Sequence, residues 1–280
     1  ELAQGLLGFG RRRPLGMASG VTIVAMTLAA ALANVAAPAD PYQVDYGRQF
    51  SPPTARNPLG TDEFGRDVLS RILYGARYAL LMGVGSSVLG TTVGALIGVV
   101  GAYLGGKTDL LLQRLMDAIL AIPVLMLALV IVAMFGNALG NLAVAIALPM
   151  VPRASRVVRA SALAVKETPY VEAARATGAG DPRIIFLHVV PNVMAQYLIV
   201  VSAVVGQAIL IDAALGFLGL GFTEPTPSWG VMLSGSASLY ATRAPWMVIF
   251  PGAAISVVVF AFNLLGDSLR DELDPRLRLG

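Results

Sequence analysis

The polar and apolar positions of this chain are arranged in long blocks rather than in alternation. Apolar residues run almost unbroken over 17–37, 79–104, 118–135, from about Leu142 onward, over 192–211 and over 246–265. At 1.5 Å of rise per helical residue, about 20 apolar residues match the hydrocarbon core of a bilayer. The pattern therefore predicts six membrane-spanning helices and an all-α chain. The first stretch follows Arg11-Arg12-Arg13 and ends in small residues. It is longer than the apolar part of a signal peptide, roughly 7–15 residues, and is read as a span. The fourth stretch is the weakest, because Pro152 and Arg153 interrupt it. Its helix is expected to continue toward Val165, with Arg153, Arg156 and Arg159 on one stripe. An arginine at mid-bilayer costs roughly 2.5–3.5 kcal/mol on insertion scales. That stripe therefore belongs at an interface or in a wet vestibule.

Composition agrees with lipid as the solvent. The 280 residues are 56% hydrophobic and 13% charged, with a mean hydropathy of +0.73. Soluble domains average about 25% charged residues. A net charge of +3, spread along the chain, argues against nucleic-acid binding. The chain has no cysteine and one histidine, His188, so neither disulfides nor a protein-built zinc or iron–sulfur site is expected. With Arg11–Arg13 inside, the inner segments 1–16, 105–117, 152–191 and 266–280 hold 14 of the 20 Lys and Arg residues. This bias predicts cytoplasmic termini and two long outer loops, 38–78 and 212–245. Gly90, Gly94 and Gly98, continued by Gly101 and Gly105, let another helix approach closely. Packing within the bundle is the plain reading; a contact between subunits is the other.

The inner loop 166–191 carries the most information. Thr168-Pro169 reads as a helix cap followed by proline at the first helical position. Residues 170–177 form the first helix and Gly178 its stop. Asp181-Pro182 repeats the start, 183–190 form the second helix, and Pro191 is expected to end it before the fifth span. Tyr170, Val171, Ala173, Ala174, Ile184, Ile185, Phe186 and Leu187 give this hairpin apolar surface that looks exposed. Either a partner protein or the bilayer interface must cover it.

Glu172-Ala173-Ala174, Gly178, Asp181-Pro182 and His188-Val189-Val190-Pro191-Asn192 resemble the EAA loop of ABC-importer permeases. The stretch from Asn57-Pro58-Leu59-Gly60-Thr61-Asp62 to Arg71 resembles the dipeptide, oligopeptide and nickel branch of that family, in the second of its two permease types. So do Gly216-Phe217-Leu218-Gly219-Leu220-Gly221, Pro227-Ser228-Trp229-Gly230 and the segment from Gly266 to Arg276. The likeness runs over residues 11–278, with Asp212 where the family leads one to expect glutamate. It implies a type I permease, with a five-helix core over 79–280 preceded by an N-terminal span and outer segment over 1–78. It implies that the loop docks on an ATP-binding subunit through Tyr170, Glu172, Ala173, Ala174, Gly178, Asp181 and Pro182. The implied partners are a homologous permease, two ATP-binding subunits or domains holding ATP and magnesium, and an extracytoplasmic binding protein. The implied cargo is a di- or oligopeptide, with nickel chelates or glutathione as alternatives. The chain itself is expected to hold no cofactor and to catalyse nothing. A self-contained channel or ion-coupled carrier is the rival reading; it calls for a filter, a charged relay or internal repeats, and none is seen in the sequence.

The remaining signals are weaker. Gly101-Ala102-Tyr103-Leu104-Gly105-Gly106-Lys107-Thr108 satisfies the P-loop pattern, yet a P-loop needs a strand before it, and here an apolar helix comes first. His188 has no metal-binding neighbours in sequence and reads as structural. Asp117 is placed to pair with Arg114 or to cap a helix. Asp212 either pairs with Arg243 or faces a translocation path, where Gln207, Ser202 and Asn263 are further candidates. Arg270, Asp271, Asp274 and Arg276 form a mixed-charge tail.

Overall fold

A computed structural model describes residues 13–234 and 239–273. The helices in chain order are α1 (Pro14–Ala31), α2 (Val68–Leu104), α3 (Gly106–Leu120), α4 (Val124–Phe135), α5 (Leu139–Ala147), α6 (Val151–Lys166), α7 (Pro169–Ala176), α8 (Val190–Phe217), α9 (Trp229–Leu233) and α10 (Trp246–Leu273). Helix α2 is the centre of the bundle and packs on α1, α5, α6 and α8, while α10 closes against α1 and α8.

Four of these elements are long and apolar enough to cross a bilayer: α1, α2, the rod Asp181–Phe217 and α10. The pair α3 and α4 makes a fifth crossing only if counted as one bent span. Four of the six expected spans are thus single long helices, and the third and fourth apolar runs are broken ones. The third apolar run, 118–135, is broken at Ala121–Pro123, where the helices on either side meet at 89°. Pro123 cannot donate to a helical ladder, and its ring disfavours helix in the residue before it. Helix α4 alone is 12 residues long. At about 18 Å it falls short of a hydrocarbon core of about 30 Å. The fourth run is α5, a single tight turn over Leu148–Met150, then α6. Its continuation to Lys166 agrees with the sequence reading.

Helix α2 also begins earlier than its apolar run, at Val68 rather than near 79. Asp67 caps it by accepting hydrogen bonds from the Ser70 backbone N–H and hydroxyl, both at 2.7 Å. The extra turns carry Arg71, Arg77 and the buried Gly75, so they are read poorly by hydropathy. At 37 residues the helix is about 55 Å long and reaches from the segment 38–67 to the opposite end of the bundle.

The glycine row of α2 packs inside the bundle. A Cβ on Gly90, Gly94 or Gly98 would come closer than 3.0 Å to the carbonyl oxygens of Ala147, Val151 and Ser155 in turn. The matching steps of four mean that α2 and the α5–α6 pair run in the same direction, backbone against backbone. Gly94→Leu is expected to lower stability by roughly 1–3 kcal/mol through overpacking. Gly85→Leu, on the same helix with nothing within 4 Å of its Cβ, is expected to be near neutral. Thermal unfolding of the two variants in the same detergent checks this.

The outer segment folds against the loop after α8. Asp62 and Glu224 hold Arg66 and Arg71, and the indole N–H groups of Trp229 and Trp246 donate to Ile72 O and Thr61 O, each at 3.0 Å. Burial raises the pKa of Glu63 at the edge of this cluster, and the neighbouring Asp62 adds to the rise.

Candidate functional site

Three things converge at one end of the bundle: the close of α6, the hairpin around α7, and the start of the α8 rod. Thr168 adopts an extended conformation before Pro169, which fills the first helical position. The threonine hydroxyl makes no cap, however; it turns back and donates to Val165 O at 2.5 Å. Helix α7 ends in a Schellman motif. Gly178 N–H donates to Arg175 O at 2.9 Å and Ala179 N–H to Ala174 O at 3.0 Å. Gly178 has φ of +84°, which a side chain tolerates poorly. The next turn is capped by Gly180, not by Asp181. Asp181 uses its carboxylate elsewhere, accepting from the Tyr103 hydroxyl at 2.7 Å.

Pro191 does not end the second helix. Asp181–Ile184, a π turn over Ile185–Val189 and α8 form one rod to Phe217. Widening the ladder to i→i+5 just before the proline relieves the clash that its ring would make in an α-helix. The Asn192 amide donates to His188 O at 2.7 Å, supplying a partner to a carbonyl in the disturbed turn. The second half of the loop is thus a direct extension of a spanning helix.

The apolar residues of the hairpin divide between two faces. Val171 and Ile184 are fully buried, and with Val189 they pack against Val99, Tyr103, Val158 and Ala162. These two were expected to be exposed; hydropathy cannot tell a glued face from a free one. Tyr170, Phe186 and Leu187 point outward at 44%, 65% and 58% exposure. Glu172, Ala173, Gly178, Asp181 and Pro182 lie on the exposed side, while Ala174 and Ile185 are half-buried against the core. The Tyr170 and His188 rings are 6.1 Å apart, so His188 braces the outward aromatic.

Polar ties complete the joint. The Arg175 guanidinium lies 5.4 Å from the Tyr103 ring centre and the Lys166 ammonium 5.9 Å. Lys166 also donates to Ala102 O at 3.3 Å. Arg159 makes a two-pronged contact with Asp109, and Arg156 meets Asp117 at 2.6 Å. Arg114 stands 3.8 Å from the same Asp117. Two members of the expected arginine stripe thus neutralise acids on α3. The third, Arg153, lines an open cleft of about 600 Å³ between α6, α8 and α10, with Gln196, Asp267 and Arg270. Tyr103, Gln196 and Asp267 were not singled out from the sequence. No local signal marks Tyr103, because its partner Asp181 lies far along the chain.

The four candidates for a translocation path do not form one cluster. Asn263 is exposed on α10, its side-chain oxygen 2.8 Å from where a Cβ on Gly206 would sit, beside the half-buried Gln207. Asp212 faces inward at 4% exposure, and its Oδ1 has no hydrogen-bond partner. The expected pairing with Arg243 is not made; that guanidinium stacks 4.6 Å from the Phe50 ring centre. Ser202 is occupied by a bond to Ile199 O at 3.0 Å. The P-loop-like stretch is helix up to Leu104, and Gly105 and Gly106 turn the chain directly into α3. That is not the strand–loop–helix setting of a phosphate cradle. Arg11, Arg12, Asp274 and Arg276 lie outside the described residues; of the charged ends, Arg13 meets Asp271 at 2.7 Å.

A bundle of long apolar helices that holds out a capped, core-anchored elbow defines a polytopic membrane protein of the transport-subunit class. Residues 90–279 match the family described as binding-protein-dependent transport system inner membrane component, and the chain belongs to that family. Residues 11–53 match the N-terminal TM domain of oligopeptide transport permease C. Among curated relatives, the dipeptide transport system permease protein of Alkalihalophilus pseudofirmus is 39% identical over 272 residues, covering 96% of this chain and 88% of the relative. The di/tripeptide transport system permease protein of Pseudomonas aeruginosa is 44% identical over 248 residues, or 86% and 82% of the two chains. The glutathione transport system permease protein of Pectobacterium atrosepticum is 38% identical over 268 residues, or 95% and 89%. The protein is thus a multi-pass inner-membrane permease subunit of the ABC-transporter type, built as an importer component.

Proposed function

We propose that this chain forms half of the translocation path of an ATP-driven importer of di- and oligopeptides. The observation that carries the reading is the two-faced elbow. Val171 and Ile184 fasten it to the bundle, while Tyr170, Phe186 and Leu187 stay uncovered in a chain of this family. An apolar surface of that kind in the cytoplasm calls for a partner. In this reading Tyr170, Glu172, Ala173, Gly178 and Pro182 meet a groove on an ATP-binding subunit, and Asp181 ties the elbow to Tyr103. Two such subunits or domains bind ATP and magnesium and hydrolyse the nucleotide. A homologous permease supplies the other half of the path, and an extracytoplasmic binding protein delivers the cargo. Both termini are cytoplasmic. Residues 1–78 form the N-terminal span and outer segment, and 79–280 the transport core with its elbow at 166–191.

Closure of the ATP-binding pair moves the elbow, and the bundle switches which side it opens to. Gln207, Asn263 and Asp212 are proposed to border the path, as is the cleft beside Arg153. The glutathione permease among the relatives supports a second cargo of the same chemistry, since glutathione is a small peptide. Co-purification separates this proposal from the rival carrier. The tagged chain is expected to bring down an ATP-binding subunit and to lose it when Glu172→Arg and Tyr170→Ala are combined. Undiminished recovery of the subunit, or uptake that continues with no ATPase present, counts against the proposal.

A further inference from the structure

Helix α3 has a face that the bundle does not use. Its inner side carries Asp109 and Met116, which meet Arg159 and the bundle interior, and at the edge of that side the half-exposed Asp117 meets Arg156 and stands 3.8 Å from Arg114. On the opposite side lie Lys107, Leu110, Leu111, Arg114 and Leu115, with the leucines 58%, 73% and 54% exposed. At 100° per residue these five fall within one broad arc, the two cations flanked by leucines on either side.

The height of α3 is fixed by its contacts. Asp109 reaches the level of Gly101 on α2 and of Arg159 on α6, and Asp117 that of Arg156. Those arginines stand where hydrocarbon gives way to water, at the boundary or in a vestibule open to it, since they are too costly to hold in lipid. Helix α3 stands at 89° to α4, an apolar helix that carries Met126, Val130 and Met134 on its exposed side. Leu104, at the end of α2 and three residues before Lys107, is also 55% exposed. A helix of this kind, perpendicular to an apolar neighbour and level with the aqueous boundary, has one physical setting that satisfies both residue types. Leucines enter the acyl boundary, and long basic side chains reach back to the phosphates.

We propose that α3 is an interfacial helix, lying in the cytoplasmic headgroup layer with Leu111 and Leu115 in the acyl boundary and Lys107 and Arg114 on the phosphates of anionic lipids. This site tethers the inner end of α2 to the membrane surface. The inference rests on the membrane class of the protein and not on its cargo or its ATPase.

The chain has no cysteine, so single probes can be placed without background. The full chain, with the subunits that purify with it, is held in nanodiscs of phosphatidylcholine and phosphatidylglycerol. Nitroxides are attached at Leu111→Cys, at Leu115→Cys and, as an aqueous reference, at Thr54→Cys. Collisions with oxygen should outweigh those with a polar nickel complex at 111 and 115, at a depth of about 5–10 Å, with the reverse at 54. Dominance of the nickel complex at 111 and 115 overturns the proposal, as does protection from both colliders, which means that a protein covers the face. For the charges, Lys107→Glu with Arg114→Glu should draw the 111 probe several-fold closer to nickel accessibility in the anionic nanodisc. An unchanged depth in that variant overturns the headgroup contact.

Discussion

Gly178→Pro is expected to abolish peptide-dependent ATP hydrolysis and uptake while leaving the chain inserted in the membrane. The backbone at Gly178 has φ of +84°, and its N–H closes the Schellman turn on Arg175 O at 2.9 Å. Proline fixes φ near −65° and has no N–H to give. A left-handed residue other than glycine costs roughly 1–2 kcal/mol, a lower bound for proline because its ring forbids that φ, and a lost hydrogen bond costs about 1 kcal/mol more. A penalty on the order of 2–3 kcal/mol lowers the population of the docked turn by about thirty-fold or more. Nothing lies within 4 Å of a Cβ placed at Gly178, so the loss comes from the turn and not from a clash inside the chain. That point supplies a control. Asparagine tolerates the left-handed region and should keep much of the activity, whereas valine should not. If the three variants behave alike, either all active or all dead, the turn geometry is not what matters. ATPase activity of the reconstituted complex, with and without substrate-loaded binding protein, is the measurement.

Much of this was legible because lipid imposes a simple rule on sequence. Long apolar runs located α1, α2, α8 and α10 to within a few turns. The loop 166–191 could be read from its punctuation, since Pro169, Gly178 and Pro182 each act through local backbone geometry. What failed was of another kind. The 89° break at Pro123 sits within an apolar run that hydropathy averages over. Pro191 looked like a terminator, yet the π turn before it absorbs the ring. Thr168 and Asp181 had cap-forming side chains, but each found a different partner, Val165 O and the Tyr103 hydroxyl. The separation of Val171 and Ile184 from Tyr170, Phe186 and Leu187 depends on where α2 and α6 pass, a long-range fact with no local trace. Asp212 shows the same limit. Its expected pairing with Arg243 came from shared position in one loop, and only packing reveals that Asp212 is buried while Arg243 stacks on Phe50.

The outer cluster was quoted in sequence only as part of a resemblance, and its energetics follow from burial. Arg71 is 1% exposed and Arg66 4%. Arg71 stands 3.4 Å from Glu224 and 3.7 Å from Asp62, and donates to Pro41 O and Pro225 O at 3.3 Å each. Arg66 binds the same two acids at 2.7 and 2.6 Å. One guanidinium cannot satisfy two carboxylates and two carbonyls in a site built for a pair. Arg71→Met, close in length but without charge, leaves Asp62 and Glu224 with excess negative charge and frees the carbonyls of the buried Pro41 and the exposed Pro225. Removing one partner of a fully buried ion pair costs roughly 3–5 kcal/mol, and the loss here is expected to be smaller, because Glu224 is 45% exposed and both acids keep Arg66. Since Pro41 and Pro225 belong to different outer segments, the loss should fall on their union. The outer segment 38–67 should become open to protease at its exposed Pro52–Arg56 stretch, while α2 stays inserted, held by its glycine row. Asp62→Asn combined with Arg71→Met should recover part of the loss, because the surplus charge goes with the cation. Protease resistance unchanged in the single variant would mean that the cluster is fully wetted and that burial is not what holds the outer segment down.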